Sequence, residues 1–122
     1  MPQILIVEDE FLIRDNVKTL LEMEGYAVRC AANGEEALEL IRRTVVRPDL
    51  ILLDLLMPVM NGIEFLESLR GDPVLKTIAV CVMSGVPERP APLAGEVFLK
   101  KPVQFSLLLD TVKRLTDRAR AA

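Results

Sequence analysis

The sequence contains no histidine, no tryptophan and few aromatic residues, and each absence excludes a class of function. None of its 122 residues is His or Trp, and 4% are aromatic. Without histidine the chain has no His-based metal site, no Ser-His or Cys-His nucleophile and no phosphohistidine of its own. With so few aromatic side chains it is a poor candidate for stacking on nucleic-acid bases.

Long apolar runs and a strong excess of charge are also missing. No apolar run approaches the roughly 18 to 20 residues of a membrane span, and the N-terminus lacks the features of a signal peptide. The net charge is −3, which argues against direct binding of nucleic acid, because phosphates attract basic surfaces. We therefore expect a cytoplasmic protein without direct contact with nucleic acid or membrane.

The composition instead indicates a single folded domain over residues 1–122. Hydrophobic residues make up 51% of the chain and the mean hydropathy is +0.31, which is too apolar for a disordered chain. The length suits one hydrophobic core. The two cysteines, Cys30 and Cys81, lie in apolar segments and are expected to be reduced core thiols.

Short apolar runs alternate with segments of helical periodicity along the chain. Alternating βα units predict right-handed crossovers and a parallel sheet with helices on both faces. The fold is therefore predicted to be a doubly wound α/β domain. The predicted strands are residues 3–7, 26–31, 49–53, 77–83 and 96–99, and the predicted helices are residues 10–24, residues 35–43, the segment after Asn61-Gly62 and the last stretch from Phe105.

The segment between the fourth and fifth predicted strands does not fit the helical pattern. It reads SGVPERPAPLAG, with prolines at positions 87, 90 and 92. A proline inside a helix removes a hydrogen bond and costs about 3 kcal/mol. A shortened or irregular fourth helix is therefore predicted there.

Polar residues follow four of the five predicted strands, at the points where those strands end. Ligands of open parallel sheets bind beyond the carboxyl ends of the strands. We therefore expect carboxylates, a hydroxyl and an ammonium group to converge on a shared site. In chain order these residues are Glu8 and Asp9, Asp54, Ser84 with Gly85, and Lys100 with Lys101.

The converging carboxylates predict a site for a hard divalent cation, because they repel one another unless they are neutralised. Carboxylate, carbonyl and water ligands suit Mg²⁺. A carboxylate beside Mg²⁺, a lysine and a hydroxyl is also suited to accept a phosphoryl group as an aspartyl phosphate. The alternative, an acidic surface cluster without metal, does not explain why Asp54 interrupts the apolar run DLILLDLLMPVMNG.

The motifs ILIVEDE, DLILLDLLMPVMNG, VMSG and FLKKP, in this order and spacing, resemble those of the CheY-like receiver domains of response regulators in two-component signalling. The resemblance covers essentially the whole chain. It implies a five-stranded flavodoxin-like sheet of order 2-1-3-4-5. It further implies a switch rather than an enzyme, and we expect a stand-alone receiver.

The resemblance also implies a role for each residue of the site. Asp54 would be the phosphoacceptor, and Lys101 and the Ser84 hydroxyl would contact the phosphoryl group. Ser84 and Phe98 would form the conformational switch, and the Lys101–Pro102 peptide bond would be cis. The Mg²⁺ ligands would be Glu8, Asp9, Asp54 and the backbone carbonyl of Leu56.

The partners implied by the resemblance are a histidine kinase or histidine phosphotransfer protein, docking near the first helix, and a downstream protein target. The only reactions expected are Mg²⁺-dependent self-phosphorylation and self-dephosphorylation of Asp54. Phe98 lies fourteen positions after Ser84, a shorter spacing than is usual in the family. Because of the proline-rich residues 86–95, the sequence does not determine which surface contacts the target. It does not identify the pathway either.

Three other readings compete with this one. A docking module of receiver fold would act without phosphorylation. A phosphatase of the haloacid-dehalogenase type would need a second aspartate two residues after the nucleophile, where this chain has Leu56. A flavodoxin-like cofactor binder would need a phosphate-binding loop after the first strand, where the acidic EDEF would repel phosphate.

Overall fold

The strands and helices alternate along the chain, as the periodicity predicts. The computed structural model describes residues 1–43, 47–55, 57, 59–85 and 96–121, with the backbone alone for 118–121. The strands are β1 (Gln3–Val7), β2 (Ala27–Ala31), β3 (Leu50–Asp54), β4 (Ala79–Ser84) and β5 (Val97–Lys100). The helices are α1 (Phe11–Met23), α2 (Gly34–Arg43), α3 (Gly62–Arg70) and α4 (Phe105–Ala121), and a 3₁₀ turn spans Leu75–Thr77.

The five strands form one sheet in the order β2-β1-β3-β4-β5, and every neighbouring pair is parallel. This confirms the predicted doubly wound fold with flavodoxin-like strand order. The predicted irregular helix between β4 and β5 falls in residues 86–95, outside the described residues. The helix numbered α4 here is therefore the one that follows β5.

Successive residues of β3 pack on opposite faces of the sheet, which explains its continuous apolar run. Ile51 and Leu53 belong to the core cluster beneath α2 and α3, whereas Leu50 and Leu52 belong to the cluster beneath α1 and α4. All five residues of β3 are buried. A parallel strand with helices on both faces requires such a sequence.

The helices bury most of the predicted positions, with two differences. The helical periodicity of the sequence predicts that Ala37, Leu38 and Ile41 in α2 face the core, and all three are buried. In α3 the periodicity predicts Ile63, Leu66 and Leu69 as core residues, and the ring of Phe65 is fully buried as well.

In α1 the periodicity predicts that Ile13, Val17, Leu20 and Leu21 form one apolar stripe facing the core, but Leu20 is 37% exposed. The error in α1 arises because only part of its apolar stripe contacts the sheet.

The start of β4 differs from the prediction because a side chain caps the preceding turn. Asp72 Oδ1 accepts hydrogen bonds from the backbone N–H groups of Val74 and Leu75, at 2.8 and 3.2 Å. The chain therefore forms the 3₁₀ turn through Thr77, and β4 begins at Ala79 rather than at residue 77.

Both cysteines are free thiols, as predicted, but Cys30 is only half-buried rather than a core residue. Cys81 is fully buried in β4, and burial raises the pKa of its thiol to about 12. None of the described helices has the length and apolar character needed to cross a membrane.

Candidate functional site

Three carboxylates meet at the carboxyl-terminal edge of the sheet, as the strand ends predict. Glu8 and Asp9 directly follow β1, and Asp54 is the last residue of β3. Each offers one oxygen, and these oxygens all lie within 4.8 Å of one another. Glu8 is 0% exposed and Asp54 only 5%, whereas Asp9 is exposed. The site is thus more enclosed than its place at an open edge suggests.

Lys101 provides a cation to this cluster. Its Nζ lies 2.7 Å from Glu8 Oε1 and 3.5 Å from Asp54 Oδ1. Burial by itself would lower the pKa of Lys101, but the hydrogen bond to Glu8 and the charges of Asp54 and Glu8 outweigh it and raise the pKa. The side chain therefore stays an ammonium group, which offsets part of the negative charge.

The backbone of Lys101 holds this side chain at the sheet edge. Its N–H donates a 2.8 Å hydrogen bond to the carbonyl of Ser84, one residue beyond the last register pair of β4 and β5, Ser84 with Lys100. The Lys101–Pro102 peptide bond is cis, in line with the resemblance. The end of β5 is thus joined to the end of β4 beside the carboxylates.

The two residues assigned to a switch lie on the same face of the sheet. Phe98 is in register with Val82, and Ser84 lies two residues beyond Val82 on β4, so both side chains point to one face. Ser84 is fully buried. Phe98 is half-buried and packs against the core cluster beneath α2 and α3. Ser84 thus directly follows Met83, the register partner of Asp54, and Phe98 lies level with Val82, two residues before Ser84.

The turn after Asp54 depends on a close approach that sequence reasoning missed. A Cβ added to Gly62 would overlap the backbone oxygen of Asp54 and lie 2.6 Å from Leu55 Cα. The Gly62 N–H donates to the carbonyl of Leu55 at 2.8 Å. Only glycine lets α3 begin directly against the end of β3; the Asn-Gly pair indicates a turn but not this contact. Leu56, whose carbonyl was predicted to bind metal, lies outside the described residues.

A second residue missed by sequence reasoning is Arg14 in α1. Its Nη1 donates a 2.7 Å hydrogen bond to the backbone carbonyl of Glu8. Its guanidinium carbon lies 5.5 Å from the centroid of the Phe11 ring, within the range of a cation–π contact. No pattern in the sequence distinguishes Arg14 from an ordinary arginine on a helix surface.

The donor set fits a hard divalent cation. Carboxylate oxygens are the preferred protein ligands of Mg²⁺, which takes few of them and keeps several waters. Glu8, Asp9 and Asp54 present such oxygens together, and the exposure of Asp9 leaves a route from solvent. Beside them lies the Lys101 ammonium group, a donor of the kind that a phosphoryl group requires.

Curated proteins match this chain along nearly its whole length. The chain spans about half the length of the curated relatives that it matches. It is 34% identical over 116 residues to the transcriptional regulatory protein CrdR of Helicobacter pylori, covering 92% of this chain and 54% of CrdR. It is 33% identical over 121 residues to the response regulator MprA of Mycobacterium tuberculosis, covering 97% of this chain and 52% of MprA.

Solved structures of similar length resemble the whole fold. The receiver domain of a signal transduction histidine kinase from Syntrophus aciditrophicus is 35% identical, with a TM-score of 0.85 and coverage of 96% of this chain and 91% of that one. The response regulator TrrA of Thermotoga maritima, in complex with Mg²⁺-BeF, is 32% identical, with a TM-score of 0.82 and coverage of 94% and 99%. Residues 4–113 match the response regulator receiver domain, and the chain therefore belongs to this family of two-component signalling domains.

Proposed function

We propose that the chain is a phosphorylation-dependent signalling switch whose phosphoacceptor is Asp54. The observation that carries the proposal is the contact of one ammonium group, Lys101 Nζ, with both Glu8 and Asp54 inside a cluster of three carboxylates. Response regulators pair with histidine kinases. Since the 122 residues contain no histidine, the donor is a phosphohistidine on a histidine kinase or histidine phosphotransfer protein.

In the proposed step an Asp54 carboxylate oxygen attacks the phosphorus atom. The new O–P bond forms as the N–P bond to the donor imidazole breaks, and the imidazole nitrogen takes the electron pair and then a proton from water. Lys101 lies 3.5 Å from Asp54, where its ammonium can stabilise charge on the transferred oxygens. Hydrolysis of the acyl phosphate by water returns Asp54 to its starting state.

Glu8, Asp9 and Asp54 would hold Mg²⁺ at this site, in keeping with the acidic pocket at which receiver domains bind this ion. When bound, the ion neutralises carboxylate charge and the charge that develops on the phosphoryl oxygens. The protein's contribution is to keep Glu8 and Asp54 almost fully buried and in contact with Lys101. From this position the Lys101 ammonium group could exchange its hydrogen bond with Glu8 for one with a phosphoryl oxygen on Asp54.

The phosphoryl group would change the surface through Ser84 and Phe98. It adds negative charge and acceptor oxygens, toward which the buried hydroxyl of Ser84 would move. Phe98, half-buried on the same face, would turn into the space that Ser84 leaves. Structures with and without beryllofluoride test this step, and an identical Phe98 rotamer in both would contradict it.

The output of the switch would be binding to a protein target rather than to nucleic acid. The net charge of −3 disfavours phosphate contacts. The relatives CrdR and MprA are about twice as long as the part that matches, so the activities of their remaining parts do not transfer. We further propose that residues 1–122 form one receiver domain, since the family match covers residues 4–113 and α4 continues to Ala121.

The test is phosphorylation by acetyl phosphate, read as a gain of phosphoryl mass on the intact chain. Wild type should be labelled with Mg²⁺ and not after chelation, and Asp54→Asn should not be labelled. The matched control is Asp49→Asn, which makes the same chemical change just before β3 and should be labelled normally. Mg²⁺-dependent labelling of Asp54→Asn would contradict the acceptor assignment. An unlabelled wild type would favour the phosphorylation-independent docking module.

A further inference from the structure

The helices that begin near the acidic cluster are fixed at their N-termini in different ways. In α3, Asn61 and Glu64 form a capping box, each accepting a hydrogen bond from the other's backbone N–H. In α2, Asn33 Oδ1 accepts from the N–H of Glu36 at 2.9 Å. In α1 the N-cap residue is Glu10, and it makes no side-chain cap hydrogen bond. The junction that carries two of the carboxylates thus lacks an N-cap side chain, and the Glu10 N–H instead donates a long, 3.4 Å hydrogen bond to Glu8 Oε2.

Arg14 supplies a restraint from inside the helix. Its Nη1 donates to the carbonyl of Glu8 at 2.7 Å, and its own N–H donates to the carbonyl of Glu10 at 3.0 Å. The centroid of the Phe11 ring lies 5.5 Å from the guanidinium carbon, and a cation–π contact at this distance favours this placement of the side chain. Arg14 therefore spans the loop of which Asp9 is the central residue.

Glu8 is held at every polar group of its residue. Its N–H donates to the carbonyl of Ala31 at 3.0 Å, its carbonyl accepts from Arg14 and its carboxylate accepts from Lys101 at 2.7 Å. Asp9 is exposed, so its carboxylate depends on the backbone for its position. Among the described residues, the Arg14 side chain donates to the carbonyl of the peptide unit linking Glu8 to Asp9, and the other bond across this loop, from the Glu10 N–H to Glu8 Oε2, is longer at 3.4 Å.

We propose that Arg14 is a positioning residue of the metal site, which holds the peptide between Glu8 and Asp9 so that both carboxylates stay within reach of Asp54. The inference rests on the proposed function, because it takes Mg²⁺ as the ion bound there. Groups that hold metal ligands in place commonly affect affinity by about tenfold or more without touching the ion. Arg14 acts here through a backbone carbonyl.

The sign of the effect separates positioning from simple electrostatics. Removing a positive charge close to three carboxylates would strengthen their attraction for a cation. Loosening the loop would weaken metal binding, because the ligands would have to be ordered when the ion binds. A weaker Mg²⁺ affinity after loss of Arg14 therefore indicates positioning, and a tighter one indicates a charge effect alone.

The experiment is calorimetric titration of Mg²⁺ into wild type, Arg14→Met, Arg14→Lys and Lys18→Met. Arg14→Met keeps most of the aliphatic stem and should raise the Kd for Mg²⁺ by about tenfold, because the affinity falls. Arg14→Lys keeps the charge but loses the planar fork, and should recover part of that loss. Lys18 lies one turn further along α1 and is half-buried like Arg14, so Lys18→Met controls for the charge and should stay within about twofold of wild type.

Thermal unfolding of the same variants separates positioning from general stability. A lower Tm for Arg14→Met with an unchanged Mg²⁺ Kd would overturn the proposal, as would a tighter Kd or an equal weakening in Lys18→Met. No Mg²⁺ binding by the wild type would overturn the proposed metal site itself and the role of Arg14 with it. If the wild type binds Mg²⁺ and Arg14→Met has the same Mg²⁺ Kd, only the role of Arg14 is overturned.

Discussion

Strand β3 has an aspartate at each end, and the two side chains have opposite surroundings. Asp49, just before the strand, accepts a 2.7 Å hydrogen bond from the N–H of Gln3 through Oδ2, and its own N–H donates to the Gln3 carbonyl at 2.8 Å. Asp54, the last residue of the strand, lies beside two further carboxylates and 3.5 Å from the ammonium of Lys101.

The difference follows from the direction of the strands. Parallel strands present unpaired N–H groups at their amino ends and unpaired carbonyl groups at their carboxyl ends. A carboxylate at the amino end can therefore accept a backbone hydrogen bond and stabilise the fold, as Asp49 does. At the carboxyl end the last carbonyl groups of the strands point outward, and Asp54 lies beside the ammonium group of Lys101 instead. An aspartate therefore completes backbone hydrogen bonding at one end of β3, and at the other end it lies in a cluster of three carboxylates.

The largest effect on stability is expected from Lys101→Met, which removes the cation at the carboxyl end. Glu8 then becomes a fully buried carboxylate without its 2.7 Å partner. Breaking a buried ion pair costs roughly 3 to 5 kcal/mol, and the partial exposure of Lys101 places the loss near about 3 kcal/mol. Urea unfolding measures it. The control is Lys100→Met at the exposed neighbour, expected to change stability by less than about 0.5 kcal/mol; equal losses would contradict the argument.

The same ion pair makes the unfolding free energy of the wild type depend on pH. Because the folded-state pKa of Lys101 lies above the ordinary value of 10.5, its contribution to stability is fully present below pH 10.5. The contribution is lost as the pH rises through the raised folded-state value. Lys101→Met should lack this part of the alkaline loss of unfolding free energy, so parallel curves for the two proteins would count against the pairing.

At the amino end, Asp49→Ala should lower stability without affecting labelling. It removes the acceptor for the Gln3 N–H, and a hydrogen bond to a charged group contributes about 1.5 kcal/mol or somewhat more. The expected loss in urea unfolding is therefore about 1.5 kcal/mol. Asp49→Asn keeps an acceptor oxygen and should lose less. If Asp49→Ala abolished labelling by acetyl phosphate while still folded, the two ends of β3 would not be functionally distinct.

Much of this contrast is readable from the sequence, because strand direction and the residues after each strand are local information. The alternating runs predict the sheet, and the positions of Glu8, Asp9, Asp54 and Lys101 after them predict their convergence. The distances within the cluster, by contrast, cannot be predicted from the sequence. That Lys101 lies closer to Glu8 than to Asp54 depends on the extra methylene of glutamate and on the packing of three strands.

Other features depend on distances that no local pattern encodes. Gly62 is required because the backbone of Asp54 and Leu55 lies against it, and Arg14 matters because its side chain reaches back to Glu8. The enclosure of Asp54 likewise results from elements far apart in the chain. Periodicity identifies most of the residues that face the core, with Phe65 and Leu20 as exceptions, but not how closely backbones approach one another.

The smallest predicted effect concerns the backbone by which the chain leaves β3. Val59 has φ 66° and is the only described non-glycine residue with a positive φ. A β-branched residue in the left-handed region is strained, by roughly 1 to 2 kcal/mol. Residues 47–49, through which the chain enters β3, show no such conformation. The carboxyl end of the strand thus contains a local strain that the described amino end lacks.

Val59→Asn should relieve this strain, because asparagine tolerates the left-handed region. The side chain of Val59 is 73% exposed, so little packing is lost and urea unfolding should show a gain of about 1 kcal/mol. Val74→Asn is the control, since Val74 is 62% exposed but has φ −84°, and it should give no gain. Equal changes at both positions would argue against backbone strain at Val59. Labelling of Val59→Asn should match wild type, because β3 and the contact with Gly62, rather than Val59, hold Asp54 in place.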